Sequence, residues 1–394
     1  MYYYVDHTSR FAGNTGIQRC VRAIATALLS SGVPLRPLVW NRDQLDFTPA
    51  SPQALEHMAR WSGPPADAWD AAAPAGVQTL QANAIDDWLL IVELVSGPYQ
   101  PTAQQLQAAA AQRGLSLVWV FHDAIPLRWA HLYGGGAEFT AACHRAYMAG
   151  LAGADLVLAN SYTSAEHLRA FLCSEGLPFA HVQALPLAEE FPGVPRAQPI
   201  AEDTPAGNPQ RLLCVGSLEP RKNHGGLLKA VAALVAAGRF PAQLVLVGWP
   251  NDPRVVALVQ RALAAGLPLR WEADVDDARL IELYRWCDAS LVPSLDEGFG
   301  LPVAESFWHG RPCLCSGEGA LGELLSGGGG WPIPVSHWRA LAEALDQWLH
   351  QPALRRQIQQ QLQTRALRSW SDYARGLLQW LADSSRVQPS TPLS

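Results

Sequence analysis

The chain has 394 residues, of which 49% are hydrophobic and 16% are charged. This length exceeds what one hydrophobic core usually organises, so we predict two folded domains with a ligand cleft between them. The formal net charge of -6 excludes a broad basic surface for nucleic acid. The sequence has no run of about twenty apolar residues and no basic and apolar leader, so we expect a cytoplasmic protein without a membrane span.

Seven cysteines are scattered along the chain without a C-x-x-C pair. Their odd number and irregular spacing do not fit a disulfide framework or a zinc site. We therefore predict buried, reduced thiols without a metal or redox role.

Short apolar runs alternate with helix-length stretches in the first half of the chain. This alternation is typical of an α/β domain with a parallel sheet covered on both faces. We assign the first domain to residues 1–190. Its predicted strands are Tyr2–Asp6, Leu35–Trp40, Trp88–Leu94, Leu117–Phe121, Leu156–Ala159 and Val182–Leu185.

A segment rich in Pro, Ala and Gly at residues 191–210 predicts a linker. The second domain, residues 211–368, repeats the alternation and predicts another doubly wound sheet. Residues 369–383 form an amphipathic helix that should pack back on the domains, and residues 384–394 should be frayed. The predicted strands of the second domain are Leu212–Val215, Leu244–Val247, Leu269–Trp271, Ala289–Val292 and Pro312–Cys315.

The segment after the strand Ala289–Val292 combines glycines with two glutamates. Gly298 and Gly300 let the backbone approach a ligand, and the amides at the following helix start favour an anion. Glu297 lies in the loop before the helix, and we place Glu305 in its first turn. Amides facing a diphosphate and carboxylates facing hydroxyls suit a phosphorylated sugar. The alternative is an ordinary glycine turn with solvated acids.

A second polar segment follows the first strand of the second domain. Gly216 and Ser217 stand at the carboxyl end of that strand, where open α/β sheets bind ligands. Arg221 and Lys222 then offer a planar fork and a compact charge to a diphosphate, and we expect both side chains to be exposed. The alternative is a solvated Arg-Lys pair before a helix capped by Asn223.

These two segments, with their E-x7-E array and the run G-S-L-E-P-R-K-N, resemble the retaining glycosyltransferases of family four. That family has the GT-B fold, two Rossmann-like domains with a cleft between them. The resemblance implies that Arg221 and Lys222 hold the donor diphosphate. It further implies that Glu297 lies beside the transferred sugar and that Glu305 binds the ribose. Other donor-binding residues implied by it are Gly216, Ser217, Val275, Gly298, Phe299, Gly300 and Leu301.

The amino-terminal, acceptor-side domain adds a narrower likeness. Asp-His-Thr at residues 6–8, the run G-N-T-G-I-Q-R at residues 13–19, and Arg22 are similar to the opening of mannosyl- and rhamnosyltransferases of bacterial O-antigen and capsule assembly. Gly16 begins a predicted helix, so amides there could face the donor phosphates. A dinucleotide-binding loop is excluded, because G-x-G-x-x-G is absent.

His122 and Asp123 end another predicted strand, and Asn160 and Ser161 end the next. The family that the chain resembles often has a His or Asp at this position, against the donor sugar and the acceptor. The resemblance therefore implies that His122 and Asp123 are catalytic candidates. A lone His at a strand end is more often structural. Asn160 and Ser161 are weaker candidates.

Asp274 and Asp276 spell D-x-D, which binds a divalent metal in glycosyltransferases of another fold. Arg221 and Lys222 already supply positive charge, so we expect neither a metal nor another cofactor. Of fifteen tryptophans, Trp129 and Trp249 are candidates for contact with a saccharide, whereas most large aromatics belong to the core.

The resemblance implies transfer of a hexose with retention, with mannose from GDP-mannose as the expected donor. The acceptor would be a saccharide or lipid-linked saccharide in bacterial surface polysaccharide synthesis. Other assembly enzymes at the inner membrane face are expected partners of a peripheral enzyme. The alternatives are a nucleotide-sugar epimerase, a sugar phosphorylase, which needs a cofactor lysine, and a non-catalytic saccharide-binding subunit on the same scaffold.

Overall fold

The computed structural model describes residues 1–69, 87–97, 99–133, 136–199 and 209–385. These residues form two compact units, which we call the first and the second unit. The first lies within Met1–Ala130, Gly135–Ala188 and Arg368–Ser394, and the second within His131–Gly134 and Glu189–Leu367. Each unit has a sheet of its own with helices packed against it.

The first unit alternates strands and helices along the chain. Its strands are β1 (Tyr2–Tyr4), β2 (Arg36–Asn41), β3 (Asp46–Pro49), β4 (Trp88–Ile91), β5 (Ser116–Phe121), β6 (Leu156–Ala159) and β7 (Val182–Ala184). The helices between them are α1 (Gly16–Ser30), α2 (Pro52–Met58), α3 (Ala103–Gln112), α4 (Ile125–Arg128), α5 (Ala137–Gly150) and α6 (Tyr162–Ser174).

Among the described residues the strands form one sheet in the order β3-β2-β1-β4-β5-β6-β7. All neighbours are parallel except β2 and β3, which are antiparallel. Strands covered on both faces must be apolar throughout, and β4 and β6 are buried at every position. The order reverses between β1 and β4, so the loops after these two strands meet at the edge where such sheets bind ligands.

The second unit has the same plan. Its strands are β8 (Gln210–Val215), β9 (Ala242–Val247), β10 (Leu269–Glu272), β11 (Ala289–Val292), β12 (Cys313–Cys315) and β13 (Gly330–Pro332). Its helices are α7 (His224–Ala236), α8 (Pro253–Ala264), α9 (Asp277–Trp286), α10 (Leu301–Trp308), α11 (Gly319–Leu325), α12 (Trp338–His350) and α13 (Pro352–Thr364).

This second sheet runs β10-β9-β8-β11-β12-β13 with every described pair parallel. That is the strand order of a dinucleotide-binding Rossmann fold, and its order reverses between β8 and β11. The loops after β8 and β11 therefore flank a ligand-binding edge. The predicted α/β class with two Rossmann-like domains is confirmed.

The structure differs from the sequence-based boundaries in particular places. Strands β3 and β13 were not predicted. Residues 191–199 of the predicted linker belong to the second unit. Trp308 of that unit holds this segment by its backbone and its side chain. Ala197 N donates to Trp308 O at 2.9 Å, and Trp308 Nε1 donates to Val194 O at 2.7 Å. Residues 200–208 lie outside the described residues.

The C-terminal helix α14 (Trp370–Ser385) belongs to the first unit and packs against α1. Tyr373, Leu377 and Leu381 are buried, whereas Leu378 and Trp380 are half-buried. Residues 384 and 385, expected to be frayed, end this helix, and residues 386–394 lie outside the described residues. No helix in the described part of the chain is long and apolar enough to cross a membrane.

The seven cysteines are free thiols, as predicted. Cys143 is half-buried and Cys173 is exposed, so the expectation of burial was wrong for these two. The fully buried thiols are Cys20, Cys214, Cys287, Cys313 and Cys315.

Candidate substrate-binding site

Two loops of the second unit lie side by side where its strand order reverses. The loop after β8 carries Arg221 and Lys222, and the loop after β11 carries Glu297. Leu295 N donates to Arg221 O at 2.9 Å, so a backbone hydrogen bond ties the two loops together. This bond joins residues more than seventy positions apart and creates one polar site.

The first loop ends in a turn that fixes the direction of its two cations. Residues 220–222 form a short 3-10 helix, and Asn223 then adopts a left-handed conformation with φ of 56°. The Asn223 side chain accepts from Gly226 N at 3.2 Å, which caps α7 as predicted. Arg221 and Lys222 are thus held immediately before a helix start.

Glu297 is the centre of an ion-pair cluster. The Oε2 atom of Glu297 lies 2.8 Å from Arg221 Nη1, and its Oε1 atom lies 2.7 Å from Lys222 Nζ. Ser294 Oγ donates a hydrogen bond to Glu297 Oε1 at 2.6 Å. Arg221 Nη2 also donates to Glu219 Oε1 at 2.6 Å. Each charge of the cluster therefore has a partner of opposite sign.

The cluster is largely removed from solvent. The side chains of Arg221 and Lys222 are 11% and 13% exposed, so the expectation of two exposed cations was wrong. Burial would raise the pKa of Glu297, but the charges of Arg221 and Lys222, with hydrogen bonds from Lys222 and Ser294, lower that pKa to about 2. Glu297 is therefore ionised at neutral pH.

Helix α10 begins beside this cluster with a left-handed glycine. Gly300 has φ of +105°, and a Cβ atom there would lie 2.5 Å from Leu321 Cδ2, so both conformation and space require glycine. Gly298 and Phe299 are buried in the loop, and Leu301 opens the helix. No side chain caps this helix start, and the positive end of its dipole favours an anion.

Glu305 has other hydrogen-bond partners than Glu297. Because α10 begins at Leu301, Glu305 is in its second turn rather than the first, as we had placed it. Its Oε2 accepts from Tyr284 Oη at 2.9 Å, and Tyr284 stacks on His309 with ring centroids 5.0 Å apart. Sequence analysis missed Tyr284, because a tyrosine on another helix carries no motif.

The remaining donor candidates of the second unit surround these groups. Gly216 and Ser217 are half-buried after β8, and a Cβ at Gly216 would lie 3.3 Å from Lys222 Cδ. Val275 packs with the cluster of Leu213 and Tyr284. Their roles in donor binding stay predictions.

Asp276 of the D-x-D sequence has a structural task. Its side chain accepts from Arg279 N at 2.7 Å and caps α9. Asp274 is exposed. Within the described ranges no group of three or more His, Cys, Asp or Glu residues is arranged to hold a metal ion.

The first unit brings together the loops after β1 and β4. The two carboxylate oxygens of Glu93 accept from His7 N at 2.8 Å and from Thr8 N at 2.5 Å. Gly16 is exposed as the first residue of α1. Sequence analysis missed Glu93, since one glutamate after an apolar strand matches no motif.

His122, Asp123, Asn160 and Ser161 lie at the ends of β5 and β6. His122 is buried with Nε2 2.7 Å from Val92 O, and burial lowers its pKa. Asp123 accepts from Ile125 N at 2.9 Å, and Ser161 caps α6. These contacts favour the structural alternative for His122 and Ser161, while the catalytic roles of His122 and Asp123 stay predictions.

The two tryptophan candidates differ in exposure. Trp249 follows β9 and is 62% exposed, whereas Trp129 follows α4 and is half-buried. Saccharide contact at either position stays a prediction.

Residues 198–365 match a family model described as glycosyl transferases group 1. The chain is similar to O-antigen chain mannosyltransferase B of Escherichia coli, with 37% identity over 30% of this chain and 31% of that protein. It is also similar to serotype-specific mannosyltransferase WbdA of Escherichia coli, with 26% identity over 85% of this chain and 41% of that protein. The chain thus spans less than half the length of these relatives.

A solved structure is similar over nearly the whole chain. Sucrose-phosphate synthase from Thermosynechococcus elongatus matches with a TM-score of 0.66 and 19% identity, over 98% of this chain and 99% of that one. At this identity the likeness shows the fold alone. With the family match, it confirms the GT-B fold class and the resemblance read from the sequence.

Proposed function

We propose that this chain, whose residues 198–365 match the family model of glycosyl transferases group 1, is a retaining hexosyltransferase. The observation that carries the proposal is the convergence of Arg221, Lys222 and Glu297 beside the start of α10. Two cations and a helix start suit a diphosphate, and a carboxylate between them suits sugar hydroxyls.

The charges of the cluster suggest how a donor would bind. Arg221 and Lys222 are balanced by Glu219 and Glu297, so a diphosphate adds negative charge to a site that is already neutral. We infer that the diphosphate takes over bonds from Glu297, whose carboxylate then turns to the hexose. Arg221, Lys222 and the dipole of α10 would stabilise the charge that develops as the diphosphate leaves, the largest contribution in most such sites.

Retention follows in this proposal from departure and attack on one face of the sugar. The leaving phosphate accepts the proton of the acceptor hydroxyl as the new glycosidic bond forms. Glu297 orients the hexose instead of attacking it, because departure and attack on one face form no covalent glycosyl-enzyme intermediate. No metal is required, since fixed positive charge is present.

Mannose is the hexose that we propose, with GDP-mannose as donor. The support is the printed names of the two relatives, an O-antigen chain mannosyltransferase and a serotype-specific mannosyltransferase. A saccharide or lipid-linked saccharide would be the acceptor, and the reaction would take place at the cytoplasmic face of the inner membrane beside other polysaccharide-assembly enzymes.

A donor screen tests the proposal. The protein is heated with GDP-mannose, UDP-glucose, dTDP-rhamnose or ADP-glucose, and a ligand at a hundred times its dissociation constant should add about 2.7 kcal/mol of stability. The donor that stabilises should also be hydrolysed slowly, with NMR assigning the anomer released. Absence of both stabilisation and hydrolysis with all four sugars would leave the binding-subunit alternative in place. Inversion at the anomeric carbon would refute retention.

A further inference from the structure

A buried glutamate holds the turn that follows β1. Glu93 lies two residues beyond β4, and only 1% of its surface is exposed. Its Oε2 accepts from His7 N and its Oε1 from Thr8 N, so both oxygens face successive amides of one turn. Because β1 and β4 are the parallel neighbours between which the strand order reverses, this contact lies at the ligand-binding edge of the first unit.

The same turn is connected to the start of α1. The His7 ring stacks on Phe11 with centroids 4.8 Å apart, and its Nδ1 lies 3.2 Å from Gln18 Nε2. Gln18 is buried in the first turn of α1, two residues after Gly16. The conformation of the turn therefore sets the position of His7 and of this helix start together.

We propose that Glu93 is a positioning residue whose ionised carboxylate holds the turn of residues 6–10 in the conformation that supports turnover of the nucleotide-sugar donor. This inference rests on the proposed glycosyltransferase function. A carboxylate suits the task because each oxygen accepts one N–H group. A protonated carboxyl or an amide has a donor group in place of one accepting oxygen. That donor would face a backbone N–H, so one of the two hydrogen bonds to the turn would be lost.

The charge state of Glu93 can change under ordinary conditions. Burial raises the pKa of Glu93 from 4.5 to about 7, a net value that includes the lowering by hydrogen bonds from Thr8 and His7 and a smaller rise from the negative charge of Asp6. Arg10 in turn bonds Asp6. Tyr3 and Tyr4 of β1 stay neutral, because burial raises the pKa of each phenol. Titratable groups near Glu93 include Asp6, His7, Tyr3 and Tyr4. The buried Arg22 of α1 adds a positive charge at the turn, with Nη2 3.5 Å from Thr8 O.

The test compares the wild type with Glu93→Gln, Glu93→Asp and, as a control, the exposed Glu56→Gln of the same unit. Hydrolysis of the donor selected by the thermal screen gives kcat/KM from about pH 5.5 to about pH 8.5. Wild type and control should lose about tenfold per pH unit below an inflection near 7. At high pH, kcat/KM of Glu93→Gln should be at least about tenfold lower than that of wild type, and it should not fall further below pH 7. Glu93→Asp should keep the fall of kcat/KM at low pH, with a lower kcat/KM at high pH.

A second measurement does not depend on turnover or on the variants folding. The amide signals of His7 and Thr8 in wild-type protein are followed by NMR through the same pH range, and they should titrate with the activity. Static amide signals, or a Glu93→Gln variant as active as wild type at high pH, would overturn the positioning role and leave the proposed function intact. A wild type that turns over none of the four donors at any pH would overturn the proposed function, and this inference with it.

Discussion

Glu297 forms an ion pair with each of the cations that the proposed diphosphate needs. A buried carboxylate between two cations is stable while all three remain paired, and removing one member leaves uncompensated charge. Variants at this cluster should therefore change stability as well as catalysis. The two effects separate when the members are replaced one at a time.

Lys222→Ala should lower kcat/KM for donor turnover by about a hundredfold to a thousandfold, because it removes charge from the departing diphosphate. Arg221→Ala should be as slow and should also lose about 1 to 3 kcal/mol of unfolding free energy, since Arg221 bonds Glu219, Glu297 and the carbonyl of Asp296. Kinetics and urea unfolding measure both quantities. Lys229→Ala, an exposed lysine of α7, is the matched control. Normal turnover in both variants would exclude the phosphate-binding role.

Glu297→Gln and Glu305→Gln should affect different parts of the donor. Glu297 faces the cations, whereas Glu305 accepts a hydrogen bond from Tyr284 one turn inside α10. Glu297→Gln should reduce mainly turnover, because its contact with the sugar strengthens in the transition state. Glu305→Gln should weaken calorimetric affinity for the free nucleoside diphosphate. Equal losses of this affinity in both variants would contradict the assignment.

Glu297 also gives folding stability a pH dependence. Its pKa in the folded protein is about 2, below the ordinary value of 4.5. The stabilisation that this carboxylate provides is thus complete above about pH 4.5 and disappears as the pH falls toward 2. The urea midpoint of wild type should drop more than that of Glu297→Gln on going from about pH 5 to about pH 3. Equal drops would show that the ion pairs do not lower this pKa.

At the scale of elements, the D-x-D sequence is read best as a helix cap. Asp276 bonds Arg279 N at the start of α9, so Asp276→Ala should cost about 1 kcal/mol of unfolding free energy. Asp274→Ala, at an exposed neighbouring position, should cost little. Donor turnover should survive exhaustive chelation in wild type. Activity that chelation removes and manganese restores would support metal binding instead.

Apolar patterning predicts the central strands and misses one edge strand of each sheet. The interior strands β6 and β11 match their predicted bounds, because strands covered by helices on both faces need a continuous apolar run. Edge strand β3 is short and polar at its ends, and edge strand β13 is a three-residue Gly-Trp-Pro segment. Neither carries a signal that distinguishes it from a loop.

The site shows a similar division. Motifs predict Arg221, Lys222 and Glu297, because their residue types are what a phosphorylated sugar requires. They do not predict that the cations would be bonded to Glu297, since a contact across 75 positions depends on the strand order of the second unit. Glu93 follows from topology alone, because its partners become visible only when β1 and β4 are known to be neighbours.

For the whole molecule, the two units have separate cores. The first core includes Trp119, Phe121 and Tyr147, and the second includes Leu212, Leu246 and Trp348. A ligand that binds only the second unit should therefore protect that unit more than the first. Distinguishing the units in solution requires a reporter located in each.

The cysteines supply these reporters. Cys173 is exposed and should react with a maleimide immediately, whereas the buried Cys20 of the first unit can react only when that unit unfolds locally or globally. Four enclosed thiols, Cys214, Cys287, Cys313 and Cys315, report in the same way on the second unit. Mass spectrometry after timed alkylation should show the nucleoside diphosphate slowing modification of these four more than that of Cys20. Equal slowing at all five would mean that the units open together, so that the chain's own sulfur atoms measure how cooperatively it unfolds.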